Sequence, residues 1–392
     1  MRILVVATKP PWPPRDGGRL ALWLSLCGLA EAGHQIEVVA PEIACPDPVS
    51  AASQLQKPGI ATYVIPARRR SWLAAALVAL RDGCAISVAR HQSNAVTVAI
   101  ARRIAARCPD IVHVEQLQAL ANCAPARAAG IPIVLRMQNV ESALWRQAAR
   151  TKFTAPLLRI EAARMRADER RALAYATQTI ALTQSDANEL RDIADPNDRD
   201  RIAAIAPAFP VAIPAGERVE GSPAIVVAGS SGWWPNMQGV CWFVRDVWPH
   251  LASVLPNACL HVFGGEAVGA SPAIIRLDPP EDSRDSFPEG AIAVVPLLAG
   301  SGIRMRILEA WARGLPVVAT PQAAHGLEIT QGRELLLAET PDQMLTAIRL
   351  LSEDQAMRDS CIAAGRAYLA ARHNSHRATA SLVEVYCKAM RP

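Results

Sequence analysis

Residues 291–310 read AIAVVPLLAGSGIRMRILEA, and their pattern indicates the fold class of the chain. The apolar run 291–295 is typical of a buried strand, and the small residues at 299–302 suit a tight loop. Residues 303–313 then predict a helix. A buried strand, a short loop and a helix, in this order, form the repeating unit of a parallel sheet that is covered by helices on both faces.

The same alternation of strands and helices runs through both halves of the chain. Apolar runs that predict strands occur at 3–7, 36–40, 111–114, 131–135 and 179–182, and again at 224–228, 260–263 and 316–319. Between 195 and 223, polar residues and prolines interrupt the pattern. We therefore predict an α/β fold with two doubly wound domains, 1–205 and 206–370, which face each other across a cleft, and a terminal helix, 371–392, that packs back on the first domain.

Apolar stripes on two helices predict which faces they bury. A single helix at 236–251 is expected to bury Val240, Phe243, Val247 and Leu251. A helix at 377–390 is expected to bury Thr379, Val383, Tyr386 and Met390.

Composition narrows the class of protein. Of 392 residues, 51% are hydrophobic and 20% charged, which favours a globular chain over a disordered one. The net charge of +5 is too small to indicate a partner among nucleic acids. Nine cysteines without a Cys-x-x-Cys pair suit neither a disulfide framework nor a zinc site, so we expect a protein of the reducing cytoplasm. No apolar run comes near the roughly 20 residues that cross a bilayer, so we expect no segment that spans a membrane.

The loop that follows residues 291–295 is the densest candidate for a ligand site, because ligands bind beyond the carboxyl ends of the strands in such a sheet. The backbone N–H groups of Gly300, Ser301 and Gly302, and of the helix that follows, attract a diphosphate. Arg304 and Arg306 add permanent positive charge in the first turns of that helix.

Glu309 completes this candidate site. It follows Gly302 by seven residues, which is two helical turns, and its spacing places it on the same face as Arg306. A carboxylate there accepts hydrogen bonds from both ribose hydroxyls of a nucleotide whose phosphates occupy the loop. Alternatively, Arg306 and Glu309 form an ordinary ion pair on a solvated helix, and the spacing alone does not decide between the two.

Several motifs resemble the family 4 (group 1) glycosyltransferases of the GT-B fold, which have two Rossmann-like domains. In the second half they are GSSGWWPN at 229–236, WF at 242–243, WP at 248–249, GSGIRMRILEA at 300–310 and GLPVVAT at 314–320. In the first half they are DGGR at 16–19, GH at 33–34, DIVHVE at 110–115 and NVES at 139–142. Many relatives have a glutamate where this chain has Ser301, and they often have histidine where it has Gln138.

The resemblance implies a glycosyltransferase that moves a sugar from a nucleotide-diphosphate sugar to an acceptor hydroxyl, with retention at the anomeric carbon. The donor is expected on the second domain and a saccharide or lipid-linked acceptor on the first, with no metal and no separate cofactor. The family suggests a role in envelope polysaccharide or glycolipid assembly. Two alternatives stay open: a sugar-nucleotide epimerase of the same fold, and a non-catalytic partner that binds a sugar nucleotide.

The resemblance also marks site residues outside the loop. Asn236 is expected at the donor, and the glycines at 17 and 18 allow the backbone to approach the donor or the acceptor. His113 and Glu115, at the end of a strand that faces the cleft, are expected to orient the sugar or the hydroxyl. Each has a structural alternative, an ordinary turn for the glycines and a hydrogen-bonded core group for the histidine. The expected catalytic residues are His113, Glu115 and Arg306; the expected donor-binding residues are Gly17, Gly18, Asn236, Gly300, Ser301, Gly302, Arg304, Arg306 and Glu309.

Three charged segments have both a functional and a structural interpretation. Arginines 68–70 beside Trp72 suit anionic lipid head groups and predict a peripheral contact with the inner face of the membrane; the alternative is a solvated loop. Asp198 and Asp200 match a metal motif of another fold, but their charged, proline-flanked context favours a solvated loop. Arginines and acids alternate along 159–171, which predicts an exposed helix face.

Overall fold

The structure is a computed structural model, and it describes residues 1–14, 16–42, 59–67, 70–151, 155–228, 234–264, 273–278, 280 and 282–391. Arg68, Arg69 and the 229–233 part of the glycine- and tryptophan-rich motif lie outside these residues. The chain forms two compact units. The first comprises Met1–Trp12, Leu22–Pro207 and the segment from Ser375 onward, and the second comprises Pro13–Ala21 and Ala208–Asn374. This division differs from the predicted one in placing 13–21 and 371–374 with the second unit, and 206–207 with the first.

The first unit is built on a parallel sheet with the strand order β3-β2-β1-β4-β5-β6-β7. Its strands are β1 (Arg2–Val6), β2 (Gln35–Glu42), β3 (Ile60–Pro66), β4 (Ile111–Glu115), β5 (Ile133–Met137), β6 (Gln178–Ala181) and β7 (Ile202–Ala204). The helices are α1 (Gly17–Glu31), α2 (Trp72–Asp82), α3 (Ile86–His91), α4 (Asn94–Ala106), α5 (Leu117–Leu120), α6 (Ala124–Ala128), α7 (Glu141–Thr151), α8 (Ala155–Tyr175) and α9 (Gln184–Ile193). Separate apolar cores cover the two faces of the sheet, and its central strands are accordingly mostly apolar, although β4 and β5 also bury His113, Glu115 and Arg136.

The second unit repeats the arrangement, with the strand order β10-β9-β8-β11-β12-β13. Its strands are β8 (Ala224–Ala228), β9 (Cys259–Phe263), β10 (Ile274–Leu277), β11 (Ile292–Val295), β12 (Val317–Ala319) and β13 (Leu336–Leu337). Its helices are α10 (Trp234–Trp242), α11 (Trp248–Val254), α12 (Met305–Ala312), α13 (Pro321–Ala324), α14 (Pro341–Glu353) and α15 (Gln355–Arg372). Two doubly wound parallel α/β sheets are thus confirmed. Among the described helices, none is both long and apolar enough to cross a bilayer.

The predicted helix at 236–251 is interrupted. The four residues expected on its buried face are all buried, but Phe243–Val247 form a π-helical turn between α10 and α11. Pro249 follows this turn and lacks the backbone N–H that an uninterrupted α-helix would use. The π-helical turn accommodates this loss in the hydrogen-bond ladder.

The terminal helix, α16 (Ser375–Ala389), belongs to the first unit. Thr379 and Tyr386 are buried as predicted, whereas Met390 is 36% exposed and Val383 is half-buried. The buried face holds Ala378, Thr379, Leu382, Val385, Tyr386 and Ala389. The predicted stripe is therefore wrong for Val383 and Met390, because Leu382 and Val385 complete the apolar face.

The acids of α8 correct another prediction. They do not form an exposed charged face, because Glu161, Asp168 and Glu169 are buried. Each accepts hydrogen bonds from backbone N–H groups near the start of a neighbouring helix: Asp168 from Ala85 (2.6 Å), Glu161 from Ile86 (2.6 Å) and Glu169 from Ser142 (3.1 Å). These carboxylates satisfy N–H groups that lack partners within their own helix.

Glu169 gives a prediction for the pH dependence of stability. Burial raises its pKa to about 7, against hydrogen bonds from Ser142 that lower it. A carboxyl group whose pKa is raised in the folded state contributes its full stabilisation only below the unfolded-state pKa of about 4.5, and this contribution is lost as the pH rises through 7. The parent should therefore lose about 2–3 kcal/mol of unfolding free energy between pH 5 and pH 8 that Glu169→Gln, which has no carboxyl group there, does not lose. Urea unfolding at the two pH values measures this difference. Glu384→Gln, on the exposed side of α16, is the control; parallel pH profiles for Glu169→Gln and the parent would contradict the prediction.

Candidate active site

The candidate donor loop lies at the point where the strand order of the second sheet reverses. Strand β8 pairs with β9 on one side and with β11 on the other, so that their crossovers diverge. Ligands bind at such a point, beyond the carboxyl ends of the two strands. Residues 296–304 follow β11, and Asn236 lies half-buried in the first turn of α10, the helix that follows β8.

Glycines determine the shape of this loop. Gly302 has a φ of 75°, which favours glycine, and a Cβ on Gly300 would lie 2.8 Å from Cδ2 of Leu297. The Gln322 side chain donates a hydrogen bond of 2.7 Å to the Gly300 carbonyl, and Arg304 Nη2 donates one of 3.3 Å to that of Gly302. Ser301 is only 4% exposed. Carbonyls of the loop are thus held by side chains of the second unit.

The start of α12 can receive an anion. Arg304 is its N-cap and offers no side-chain acceptor to the first-turn N–H groups. Arg306 is half-buried beside this turn. Burial lowers its pKa to about 10, although Glu309 and Asp16 favour the charged form, so the guanidinium remains protonated at neutral pH. The Arg306 side chain forms no hydrogen bond or ion pair with the residues that the structure describes.

Glu309 is buried, and its partner differs from the predicted one. Its Oε1 accepts hydrogen bonds from Ser283 Oγ (2.6 Å) and from Nε (3.0 Å) and Nη2 (2.8 Å) of Arg313, one turn later. The Arg306–Glu309 ion pair, which was the structural alternative to ribose binding, is therefore not formed. The two-turn spacing from Gly302 is also wrong, because the helix begins only at Met305.

The second oxygen of this carboxylate has a different environment. All hydrogen bonds to the Glu309 side chain from the described residues go to Oε1, which leaves Oε2 without a protein donor in that part of the chain. A carboxylate oxygen accepts more than one hydrogen bond and can bind a ligand hydroxyl. One oxygen, rather than the whole carboxylate, is therefore available for a ribose.

Arg313 and Ser283 are site residues that the sequence analysis missed. The Arg313 guanidinium also donates to the Pro214 carbonyl, and it lies 5.8 Å from the centre of the Phe287 ring. The i,i+4 spacing of Glu309 and Arg313 could have revealed the ion pair. Ser283 comes from a distant part of the sequence, and no local pattern signals it.

The glycines at 17 and 18 open α1. Asp16 precedes them, and its Oδ1 accepts a hydrogen bond of 3.0 Å from the Arg19 N–H. Gly17 belongs to the second unit, and a Cβ on it would lie 2.9 Å from Cβ of Met305 in the same unit, so this close approach requires glycine. Gly17 therefore lies close to the start of α12.

His113 and Glu115 occupy a different environment from the predicted one. Both are 2% exposed, so the expectation of an accessible strand end is wrong. His113 Nε2 lies 3.1 Å from Glu115 Oε2, and its Nδ1 lies 2.7 Å from the Tyr386 hydroxyl of α16. Arg136 Nε donates to Glu115 Oε2 at 2.8 Å. Both ring nitrogens therefore have protein partners, as the structural alternative expected.

Charge within this buried network is matched. Burial lowers the pKa of His113 and favours the neutral ring. Burial alone would raise the pKa of Glu115, but the Arg136 guanidinium and His113 hold it below its usual range. The carboxylate is therefore ionised, and it accepts a hydrogen bond of 2.7 Å from Gln138 Nε2 through Oε1. Through this hydrogen bond, Glu115 positions the Gln138 side chain.

Polar side chains that the sequence analysis did not select follow the central strands of the first sheet. Thr8 Oγ1 donates to Gln116 Oε1 at 2.6 Å, and Gln116 Nε2 donates to Gln138 Oε1 at 2.8 Å. These residues follow β1, β4 and β5, and the strand order reverses between β1 and β4. Gln116 and Gln138 are half-buried, so this row, rather than His113, lies at the accessible edge.

Gln116 also carries backbone strain. Its φ of 72° and ψ of 148° fall in a region that is almost restricted to glycine. Among the described residues it is the only non-glycine with a positive φ. Such strain concentrates at functional sites, which makes Gln116 a candidate for ligand contact.

A cavity of about 620 Å³ opens at the opposite, amino edge of the first sheet. Two of its arginines have acidic partners, since Arg2 pairs with Asp110 and Arg103 with Glu37, and a third, Arg107, donates to Gln35. The positive charge of Arg2 and Arg103 is therefore matched by these acids.

Family comparisons agree with this architecture. A model described as "Glycosyl transferases group 1" matches residues 222–354, and one described as "Glycosyl transferase 4-like domain" matches residues 17–208. Two parallel-sheet α/β units with these matches define a glycosyltransferase of the GT-B class. The chain belongs to the group 1 glycosyltransferases and is an enzyme of that kind. The comparison with curated proteins found no match.

Solved structures share the fold at low sequence identity. Sucrose-phosphate synthase from Thermosynechococcus elongatus is 13% identical with a TM-score of 0.74, and the match covers 99% of this chain and 98% of that one. HepE from Anabaena, in complex with UDP-glucose, is 11% identical with a TM-score of 0.64 and 98% of each chain covered. TarM is 8% identical with a TM-score of 0.71 and 98% of each chain covered.

Proposed function

We propose that this glycosyltransferase takes a nucleoside-diphosphate sugar as donor, held by the second unit, and transfers the sugar to a hydroxyl of a saccharide acceptor, held by the first. The observation that carries the proposal is the start of α12, where uncapped N–H groups and Arg306 stand beside the glycine loop. The structure of HepE with UDP-glucose supports the donor class by analogy of fold.

The diphosphate has two sources of stabilisation in this proposal. Negative charge grows on the leaving diphosphate as the bond to the anomeric carbon breaks, and groups aimed at that charge lower the barrier. The N–H groups of α12 and the guanidinium of Arg306 supply positive charge without a metal ion or a separate cofactor. The half-buried position of Arg306 strengthens its field, since water screens it less than at the surface.

The ribose is proposed to bind Oε2 of Glu309. Ser283 and Arg313 hold Oε1 and fix the carboxylate before the nucleotide arrives. Arg313 and Ser283 are thus positioning residues, because they act on the ligand through Glu309. A carboxylate fixed in this way loses little conformational entropy on binding.

Retention at the anomeric carbon and a role in envelope polysaccharide or glycolipid assembly are proposed from family membership. The row of Thr8, Gln116 and Gln138 offers amides and a hydroxyl that can bind sugar hydroxyls. We assign sugar recognition to this row. We assign a positioning role to Glu115, which binds the Gln138 amide, and to His113, which contacts Glu115.

Gln116 provides a test of this assignment. Gln116→Gly removes about 1–3 kcal/mol of backbone strain but also two hydrogen bonds of about 0.5–1.5 kcal/mol each, so the melting temperature should stay close to that of the parent. Gln116→Ala keeps the strain and loses both bonds, so it should melt several degrees lower. Both variants should transfer sugar more slowly. Parent-like transfer in both would remove Gln116 from the site.

The proposed function is tested by thermal-shift measurements with a panel of nucleotide sugars, followed by transfer assays with a panel of saccharide acceptors. A donor that binds the native state at 100 times its Kd stabilises it by about 2.7 kcal/mol. We expect one donor to raise the melting temperature and to be consumed with an acceptor, and NMR of the product to show the donor's anomeric configuration.

A second candidate function is that of a non-catalytic partner that binds a sugar nucleotide. Ser301 and Gln138, which replace residues common in relatives, favour this candidate. Binding without turnover across the acceptor panel would favour that candidate.

A further inference from the structure

Helix α2 exposes its large apolar residues. Leu73, Leu77 and Leu80 are 82%, 70% and 69% exposed, and their i, i+4, i+7 spacing places them along one stripe. The side that faces the protein holds Ala75 and Ala79, both fully buried. A surface helix normally has the opposite arrangement, with apolar residues inward and polar residues outward. The outward stripe is therefore suited to an apolar partner.

A tryptophan and two arginines stand at the amino end of this stripe. Trp72 is 58% exposed, and the Arg90 guanidinium carbon lies 3.9 Å from the centre of its ring. Arg70 Nη1 donates to the Ala89 carbonyl at 2.7 Å, which fixes the guanidinium against α3. Neither Arg70 nor Arg90 has a carboxylate within 4 Å in the part of the chain that the structure describes. Neither guanidinium therefore forms an ion pair there, although Asp82 interacts with Arg70 at a longer distance.

The surroundings of the stripe carry no excess of negative charge. No acidic residue occurs in the sequence from 70 to 81, and Asp82 is paired with Arg81 at 2.6 Å. Two more exposed apolar residues, Leu157 and Ile160, lie in the first turns of α8. The residue after them, Glu161, hydrogen-bonds the start of α3, so that this part of α8 adjoins the same helix pair.

We propose that the α2 face, defined as Arg70, Trp72, Leu73, Leu77, Leu80 and Arg90, docks on a lipid membrane with anionic head groups. The leucines would lie at the boundary of the acyl chains, the indole at the level of the head groups, and the guanidinium groups against lipid phosphates. An outward apolar stripe with a flanking aromatic ring and arginines that form no ion pair with the described residues matches these three layers in charge and polarity. A protein partner requires no such order of apolar, aromatic and cationic groups.

The test is co-sedimentation of the full chain with vesicles of phosphatidylcholine alone or with added phosphatidylglycerol. The parent should bind the anionic vesicles about tenfold or more tightly than the neutral ones, and salt should weaken the binding. Replacing all three leucines with glutamine should lower the partition coefficient by about tenfold or more. Arg70→Gln with Arg90→Gln should reduce binding to the level seen with phosphatidylcholine.

Leu277→Gln with Leu350→Gln is the matched control, because both leucines are exposed on the second unit, at 36% and 38%. The control should bind vesicles as the parent does. The triple-leucine variant and the control should keep the parent's melting temperature, since the replaced leucines lie at the surface. The arginine variant should melt lower but stay folded at the assay temperature, because Arg70 donates to Ala89 and Gln92 and Arg90 donates to Arg70. Absence of vesicle binding by the parent would overturn the proposal, as would equal binding by the triple variant. A dimer in size-exclusion chromatography that the triple variant converts to a monomer, without vesicle binding by the parent, would assign the face to a second copy of the chain instead.

Discussion

Arg306→Ala should lower kcat for sugar transfer about 10²–10³-fold, the loss that follows when a preorganised group facing transition-state charge is removed. Arg306 stands half-buried near the N-terminus of α12 and has no partner among the described residues, so its charge is available to the departing diphosphate. KM for the donor should change less, because the contact strengthens as negative charge develops.

Arg306→Lys provides the graded comparison. It keeps the positive charge but loses the planar fork that binds two phosphate oxygens, so its kcat should fall between those of the parent and Arg306→Ala. Arg245→Ala, an exposed arginine of the same unit, is the control and should behave as the parent. Equal losses of kcat/KM and of donor affinity in Arg306→Ala, with kcat unchanged, would mean that the residue binds the ground state only.

Glu309→Gln should weaken binding of the nucleoside diphosphate about 10- to 100-fold, because it replaces a charged acceptor by a neutral one, and hydrogen bonds to charged groups contribute about 1.5–3 kcal/mol. Glutamine keeps a carbonyl oxygen for Ser283 and Arg313, so the variant preserves more of the local structure than alanine would. Titration calorimetry with the free nucleoside diphosphate measures the effect separately from catalysis.

Glu289→Gln is the matched control for this experiment, since Glu289 is an exposed acid of the second unit that pairs with Arg218. Arg313→Met tests the positioning role, because it releases Oε1 and should raise KM more than it lowers kcat. An unchanged Kd in Glu309→Gln, with a folded protein, would show that the carboxylate serves only the ion pair with Arg313.

The strands that sequence analysis predicted correctly are those buried on both faces. Continuous apolar runs such as 224–228 form such strands, so their positions can be found from the local sequence alone. Strand β3 was missed because most of its residues are only half-buried, so that its sequence, IATYVIP, lacks a plain periodicity. Strand β13 was missed because two residues are too few to carry a pattern.

The candidate site was predictable only where its residues are close in sequence. The glycine loop and Glu309 lie within ten residues, and their order follows from the strand, loop and helix that carry them. The contact between His113 and Tyr386 joins residues 273 positions apart, and no local pattern indicates it. Helix α12 begins two residues later than predicted, and Glu309 pairs with Arg313 at i,i+4 although the i,i+3 spacing to Arg306 also suits an ion pair.

A crystal structure of the protein with the nucleoside diphosphate that gives the largest thermal shift would test the donor site most directly. We expect diphosphate oxygens within hydrogen-bond distance of the N–H groups that open α12 and of the Arg306 guanidinium, with a ribose hydroxyl on Glu309 Oε2. A nucleotide bound away from residues 300–309, or a ribose that leaves Glu309 Oε2 without contact, would contradict it.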